Sequence, residues 1–357
     1  KSCEQDAIIF CNGDNDTFPL WYNIEVEEER NDVRACNLSY LQTDWYIDQM
    51  KRPYYKSPGL PISWDYADYM PGKNEIAWVE NRLNAPLEVK KAFQFLLSDD
   101  PRTKRDGENY IPTDQLYVLS PDGQPINFKK ARRFTRSEMM VMEMLSTNEW
   151  KRPMYFATTV GSDYHLGLDP YLELTGLAYQ ITPTRSADGR PRVNTERMYD
   201  NMMNKFRYGN VNKPGIYLDE NTLRMCRTHR MMFSELVEAL YKEGKHDKCL
   251  EVLDFAEEML PGYNIPYDYT SASMATFYYR LGEMEKANAI MTKVADNSVE
   301  YLRWGDSLHK DQRASSQSTI GHHMAVLGYV LQNFERYEQK ELFNHYFEIY
   351  SQYAAVR

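Results

Sequence analysis

Polar side chains follow two short apolar runs near the amino terminus, and their types suit the binding of hydroxyl groups or a cation. The first run, residues 7–11 (AIIFC), leads into 12–17 (NGDNDT), and the second, residues 33–38 (VRACNL), leads into 43–45 (TDW). Carboxylate and amide oxygens could accept hydrogen bonds from sugar hydroxyls, and a tryptophan could stack on a sugar or peptide ring. The candidate ligand-binding residues here are Asn12, Asp14, Asp16, Thr17, Trp21, Asn37, Asp44 and Trp45.

The segment Asp14, Asn15 and Asp16 also has the DxD spacing with which some sugar-nucleotide enzymes hold a divalent metal. Asp and Asn are equally common as turn formers and helix caps, and that role explains both aspartates without a metal. We favour the turn and cap role, so the sequence assigns no metal ligand.

A third polar loop contains Ser162 and Asp163, directly after the strand-like run 154–160 (MYFATTV). If it lies at the same sheet edge, both residues join the candidate ligand-binding set. The alternative is a plain turn, for which Gly, Ser and Asp are the usual residues.

The elements that must position these loops follow from the order of the runs. An apolar strand, a helix and a second strand form a right-handed βαβ unit with parallel strands. Asp16 or Thr17 is predicted to cap the helix, with Pro19 in its first turn. Ligands of open parallel sheets bind beyond the carboxyl ends of the strands, so we expect the polar loops to share one pocket mouth.

Strand-like and helix-like segments alternate through the first 185 residues, which predicts an α/β domain with a parallel or mostly parallel sheet and flanking helices. Residues 186–221 contain a polar stretch and are predicted to be a linker. From residue 222 to 357 helical periodicity predicts an all-α domain.

The helical part aligns with itself. Gly244 and Gly282 occupy matching turn positions, Cys249 and Ala287 match as the small residues at helix contacts, and Pro261 matches a terminal proline. This resembles the tetratricopeptide repeat, whose period is about 34 residues. Two repeats and a degenerate third pair are predicted, with a plain helical bundle as the alternative.

Composition excludes several function classes. The net charge is −10, so a general nucleic-acid binder is not expected. No apolar run approaches the roughly 20 residues that cross a bilayer. The five cysteines show no metal-like spacing, and the local signatures of common hydrolases, NTPases and dinucleotide-binding enzymes are missing from the sequence. We assign no catalytic residue and expect no cofactor.

Several segments resemble a known family: 12–22 (NGDNDTFPLWY), 43–50 (TDWYIDQM), 152–157 (RPMYFA), 176–179 (GLAY) and 198–201 (MYDN). The resemblance is to the C-terminal region of large membrane proteins that are abundant in Bacteroidetes and long catalogued as a domain of unknown function. The membrane half of that family resembles lipid-linked protein O-mannosyltransferases, in which the catalytic acid lies in a loop of the membrane half.

The resemblance implies that this chain is a soluble piece of a larger, polytopic protein and lies on the periplasmic face of the membrane. It further implies that the piece is not catalytic alone, whereas the parent is a glycosyltransferase. Its implied partners are the membrane half of the parent and an acceptor polypeptide or glycan.

Three functions remain open at this point. The chain could be an accessory domain that recognises the acceptor or braces the membrane half. The α/β half could instead be a metal-dependent sugar-processing enzyme that uses Asp14, Asp16 and Asp44. The helical repeats could also act as a scaffold that docks another protein.

Overall fold

The computed structural model describes residues 1–354 of the 357-residue chain. The chain divides into two units, Lys1–Asn201 and Met202–Arg357. The first unit combines strands with flanking helices, and the region from residue 220 to residue 354 is helical, which confirms the predicted fold class.

The strands and helices of the α/β unit follow in chain order. They are β1 (Ile8–Cys11), α1 (Asp14–Glu25), β2 (Arg34–Asn37), α2 (Asp44–Met50), α3 (Tyr66–Tyr69), β3 (Ile76–Val79), β4 (Leu87–Glu88), α4 (Val89–Leu96), β5 (Lys104–Arg105), β6 (Glu108–Ile111), β7 (Leu116–Leu119), β8 (Pro125–Asn127), β9 (Arg133–Thr135), α5 (Arg136–Asn148), β10 (Met154–Ala157), β11 (Leu172–Leu174), β12 (Ala178–Ile181), β13 (Arg192–Val193) and α6 (Thr195–Tyr199). Short 3₁₀ helices span Tyr40–Gln42, Pro101–Thr103, Ser162–His165 and Asp169–Tyr171.

The largest sheet has six strands in the order β13, β11, β12, β10, β1, β2. Strand β1 pairs in parallel with β2 on one side and with β10 on the other, and Cys11 lies opposite Asn37. The predicted parallel, side-by-side arrangement of the first two strands is therefore confirmed. The sheet is mixed, because β12 runs antiparallel to both β10 and β11.

The sequence of strand β1 does not alternate between apolar and polar residues, because other parts of the protein cover both faces of the strand. Ile8 and Phe10 face the main core, to which α2 and α5 contribute, whereas Ile9 faces a smaller core that includes Ile24 of α1. A strand buried on both faces reads as a continuous apolar run, as residues 7–11 do.

Two smaller sheets complete the main core. One has the order β5, β6, β3, β9, and the other has the order β4, β7, β8. Ala77, Phe134 and Ile126 are among the residues through which these sheets pack into the main core. All of their strands are two to four residues long, which is too short for a hydrophobic period to show in the sequence.

Helix α1 begins earlier than predicted. Its N-cap is Gly13, with a backbone φ of 78°, and the helix starts at Asp14. Neither Asp16 nor Thr17 is the cap, and Pro19 lies inside the helix, beyond its first turn. Glycine adopts this left-handed conformation without steric cost, which lets the chain turn directly from β1 into the helix.

The segment 186–221, predicted as a linker, contains the boundary between the two units. It also contains β13, α6 and a π-helical turn at Asp200–Lys205. Strand β13 adds to the edge of the six-stranded sheet, where Asn194 donates a 2.8 Å hydrogen bond to Glu173 of β11.

The helical unit consists of successive hairpins. Its helices are α7 (Glu220–Lys242), α8 (His246–Met259), α9 (Tyr269–Arg280), α10 (Met284–Ser307), α11 (Lys310–Ser315), α12 (Gln317–Arg336) and α13 (Lys340–Ala354). Gly244 and Gly282 have φ values of 73° and 87° and sit at the turns of the first two hairpins, as predicted. Cys249 and Ala287 are fully buried, as expected for small residues between paired helices.

None of the helices within residues 1–354 combines the length and the apolar character that crossing a membrane requires.

Candidate functional site

The carboxyl ends of three neighbouring parallel strands, β10, β1 and β2, meet at one edge of the large sheet. Side chains from the three following loops bond to one another there. Ser39, after β2, donates a 2.7 Å hydrogen bond to Asn12, after β1. Thr159, after β10, donates a 2.6 Å hydrogen bond to Asp16. We call this the strand-end edge.

Below the strand-end edge lies a buried polar lock formed by Thr17 and Asn37, both of which are fully buried. The amide of Asn37 donates to the hydroxyl oxygen of Thr17 at 2.9 Å, and that hydroxyl donates to the carbonyl of Gly13 at 2.8 Å. The Asn37 side-chain oxygen accepts from the backbone N–H groups of Ser39 and Tyr40. These two predicted site residues therefore fix the loops and do not face a ligand.

The same burial affects the neighbouring ionisable groups. Burial raises the pKa of the Cys11 thiol to about 11, although its contact with the Thr17 hydroxyl acts in the opposite direction. Burial also raises the pKa values of Cys36 and Tyr46, and the Tyr46 hydroxyl oxygen accepts the backbone N–H of Asn37 at 2.9 Å. The two thiols and the phenol packed around the lock are therefore neutral at pH 7.

Two carboxylates at the surface of the strand-end edge are each paired with a tyrosine. The Tyr40 hydroxyl donates to Asp14 at 2.6 Å, and the Tyr66 hydroxyl donates to Asp44 at 3.0 Å. The bonds raise the pKa of both tyrosines, because each phenol proton is held by a charged acceptor. Each aspartate uses one carboxylate oxygen in this bond.

An aromatic stripe, defined as Phe18, Trp21, Tyr40 and Trp45, runs along the same surface. Successive ring centroids are 5.5, 6.3 and 5.9 Å apart. Phe18 and Trp45 at the two ends are 50% and 54% exposed, whereas Trp21 packs partly into the core. The stripe therefore leaves aromatic surface in contact with solvent beside the Asp14 and Asp44 carboxylates.

The DxD segment occupies the first turn of α1, with Asp14 and Asp16 at its first and third positions. Residues two apart on a helix point about 200° apart, and the two side chains accordingly bond to different loops. Within residues 1–354, no three His, Cys, Asp or Glu side chains are grouped so that they could hold a metal ion.

Ser162 and Asp163 lie apart from this network. Both are exposed on a 3₁₀ helix, and the Asp163 carbonyl accepts a hydrogen bond from Lys129 at 2.9 Å. In the described part of the chain, neither side chain bonds to a residue of the strand-end edge.

Sequence reasoning did not include Phe18, Tyr66 and Thr159 among the site residues. Phe18 precedes Trp21 by three residues on α1, a spacing that places both on one helix face. Thr159 lies inside the strand-like run predicted for residues 154–160, whereas β10 ends at Ala157, so the sequence placed this residue within a strand and not after one. No sequence pattern around Tyr66 marks it as a site residue, because it reaches Asp44 only in the folded structure.

A cavity of about 310 Å³ lies at the opposite end of β10, beside Trp150, Arg152 and Met154. The Arg152 guanidinium there donates to the carbonyl of Asp6 and the hydroxyl of Ser57, which ties loops together. The strand-end edge instead leaves aromatic faces and carboxylates exposed, so we take it as the candidate site.

The family model described as TMEM260-associated domain 2 matches residues 1–127 and 122–200, which is more than half of the chain. No curated protein matches the chain. The solved structures contain no match either.

Proposed function

The chain belongs to the TMEM260-associated domain 2 family, and from this premise we propose that its α/β unit is a glycan-binding accessory domain. In this proposal the domain lies on the periplasmic face of a polytopic, glycosyltransferase-like protein of the Bacteroidetes type. The membrane half resembles a lipid-linked O-mannosyltransferase and carries the catalytic acid, while this chain holds the glycosylated acceptor.

The observation that carries the proposal is the aromatic stripe beside paired carboxylates. Sugar rings have an apolar face of C–H groups that packs on aromatic rings, and their hydroxyls donate to carboxylates. Trp45 and Phe18 offer the ring faces, and Asp14 and Asp44 offer the acceptors. A neutral, hydroxyl-rich ligand matches both features.

The rigidity of the site supports binding further. Tyr40 contacts Trp21 and Trp45 through its ring and bonds to Asp14 through its hydroxyl, so one side chain positions both kinds of contact. The buried lock of Thr17 and Asn37 holds the loop in which Tyr40 lies. A pre-ordered site loses less conformational entropy when a ligand binds.

The test is a glycan array of mannose-, glucose- and galactose-terminated oligosaccharides, probed with the whole chain and with two tryptophan variants. We expect Trp45→Ala to weaken binding about fivefold to tenfold, because loss of one aromatic contact costs about 1 kcal/mol. Trp78→Ala is the matched control, since Trp78 lies in β3 and is 55% exposed. It should leave binding unchanged.

Asp44→Asn separates the two parts of the site, because it keeps the shape and removes the charged acceptor. We expect weaker binding to hydroxyl-rich ligands with the ring contacts intact. Binding that is absent from the array, or that survives Trp45→Ala in full, would rule out the strand-end edge as a glycan site.

A further inference from the structure

The first helices of three successive hairpins, α7, α9 and α12, line a groove in the helical unit, with a cavity of about 190 Å³. Tyr241 lies on α7, Phe277 and Arg280 on α9, and Tyr329 on α12. The volume equals about six water molecules of liquid, which suits one side chain of a bound partner.

Arg280 is an exposed, positively charged residue that lines the groove. Its guanidinium lies over the Phe277 ring at 4.9 Å and over the Tyr241 ring at 5.5 Å. Those two rings contact each other at 5.4 Å. Stacking holds the guanidinium in place while its N–H groups remain able to donate.

The positive charge of Arg280 is uncompensated in the part of the chain that the structure describes, where no carboxylate lies within ion-pair distance of it. The other cation of the groove, Lys242, is paired with Glu238 at 2.5 Å. The groove therefore offers one available positive charge, in a protein whose net charge is −10.

Next to this charge the groove has a hydrogen-bonding floor. The hydroxyls of Thr276 and Tyr329 lie 3.0 Å apart, and Thr276 also bonds to Asn333 at 3.3 Å. Thr276 and Asn333 are both 4% exposed, so the network is fixed by packing. The Tyr329 ring extends the aromatic wall by contacting Tyr269 at 5.0 Å.

We propose that this groove binds an extended polypeptide segment and that Arg280 receives an acidic side chain of that segment. A planar guanidinium matches a carboxylate in a two-point hydrogen bond. The partly exposed Tyr329 hydroxyl, positioned by the buried Thr276, matches a backbone amide of the segment, and the rings match apolar side chains on either side of the acidic residue. A single free cation fits one carboxylate better than a phosphate or a polyanion, which carry more charge.

The test probes an array of ten-residue peptides with the whole chain, with each glutamate-containing peptide paired with a version that carries glutamine instead. Peptides retained by the protein are then titrated against Arg280→Gln. We expect at least tenfold weaker binding of the glutamate peptides, and a similar loss when glutamine replaces glutamate in the peptide.

Arg303→Gln is the matched control, because Arg303 is an exposed arginine on α10, a second helix of its hairpin. It should bind as the unmodified chain does, and thermal melting should show that both variants are folded. Equal binding of glutamate and glutamine peptides, unchanged binding by Arg280→Gln, or retention of acidic oligosaccharides without any peptide would overturn the proposal.

Discussion

The strand-end edge and the helical groove both present aromatic rings, but they hold charge of opposite sign. At the edge, Asp14 and Asp44 accept hydrogen bonds from Tyr40 and Tyr66. In the groove, the Arg280 guanidinium lies over two rings. The rings supply contact area in both places, so the sign of the charge is what selects the ligand. We expect hydroxyl-rich ligands at the edge and carboxylates in the groove.

The two regions are also assembled differently. The edge gathers three loops that are far apart in the sequence. The buried polar lock joins the first two, and the hydrogen bond from Thr159 to Asp16 joins the third. The groove arises from helices whose side chains repeat at helical spacing, with a longer loop between its first two hairpins. A substitution that breaks the hydrogen bonds of the lock should therefore disturb the edge. A substitution that breaks a contact between one hairpin and the next should disturb the groove.

The largest effect is expected from Arg230→Met in the helical unit. Arg230 is 2% exposed on α7 and donates to the carbonyls of Leu260, Ile265 and Pro266 at 2.9 to 3.0 Å. Its loss leaves three carbonyls of the loop between α8 and α9 without this donor. We expect the free energy of unfolding to fall by about 4 kcal/mol, measured by urea unfolding with far-UV circular dichroism.

Arg227→Met is the matched control for that measurement, because Arg227 is exposed one turn earlier on the same helix. A change within about 0.5 kcal/mol is expected there. If both variants lost the same stability, the loop would not depend on the buried arginine.

A smaller effect, about 3 kcal/mol, is expected from Asn37→Ala in the α/β unit. The variant removes the acceptor of the partly buried Ser39 and Tyr40 N–H groups and one of the hydrogen bonds of the buried Thr17 hydroxyl. Tryptophan fluorescence during urea unfolding reports mainly on this unit, which holds five of the six tryptophans. Asn15→Ala, at an exposed position of α1, should change the unfolding free energy little; a matching loss there would contradict the lock.

Much of the fold could be predicted from the sequence because its signals are local. The apolar run of β1 and the helical spacing around Gly244 and Gly282 each identify their elements within a few residues. Parallel pairing of β1 with β2 followed from the strand, helix, strand order. The run 115–119 (QLYVL) is recognisable as a strand and corresponds to β7, but the pairing within the two smaller sheets could not be predicted, because their strands are short and their partners are distant.

The location of the candidate site could be predicted from the sequence, but which of its residues are buried and which are exposed could not. Polar residues at strand exits indicated the edge, yet residue type did not separate buried groups such as Thr17 and Asn37 from exposed ones such as Asp14. Burial depends on how the loops fold over the strand ends. The same dependence explains Tyr66, which reaches Asp44 only through the tertiary structure.

The two units should lose stability at different pH values when the solution is acidified. In the helical unit, burial against the rings of Phe206 and Tyr208 lowers the pKa of His229 to about 4. In the α/β unit, the hydrogen bonds from Arg30 lower the pKa of Asp32 to about 2. His229 is thus neutral in the folded state over a pH range in which the unfolded chain binds a proton.

The contribution of His229 to stability is complete above its unfolded pKa of about 6.5 and is lost as pH falls toward 4. The Asp32 contribution is lost only below the pKa of 3.8 that an aspartate has in the unfolded chain. From pH 7 to pH 5, we therefore expect His229 to remove about 2 kcal/mol from the unfolding free energy of the helical unit, measured by urea unfolding with far-UV circular dichroism. His229→Phe should reduce that slope without abolishing it, because burial also lowers the pKa of His323 on α12 to about 4, whereas His345→Phe, at an exposed position of α13, should retain the full slope. An unchanged slope in His229→Phe would assign the acid sensitivity to another group.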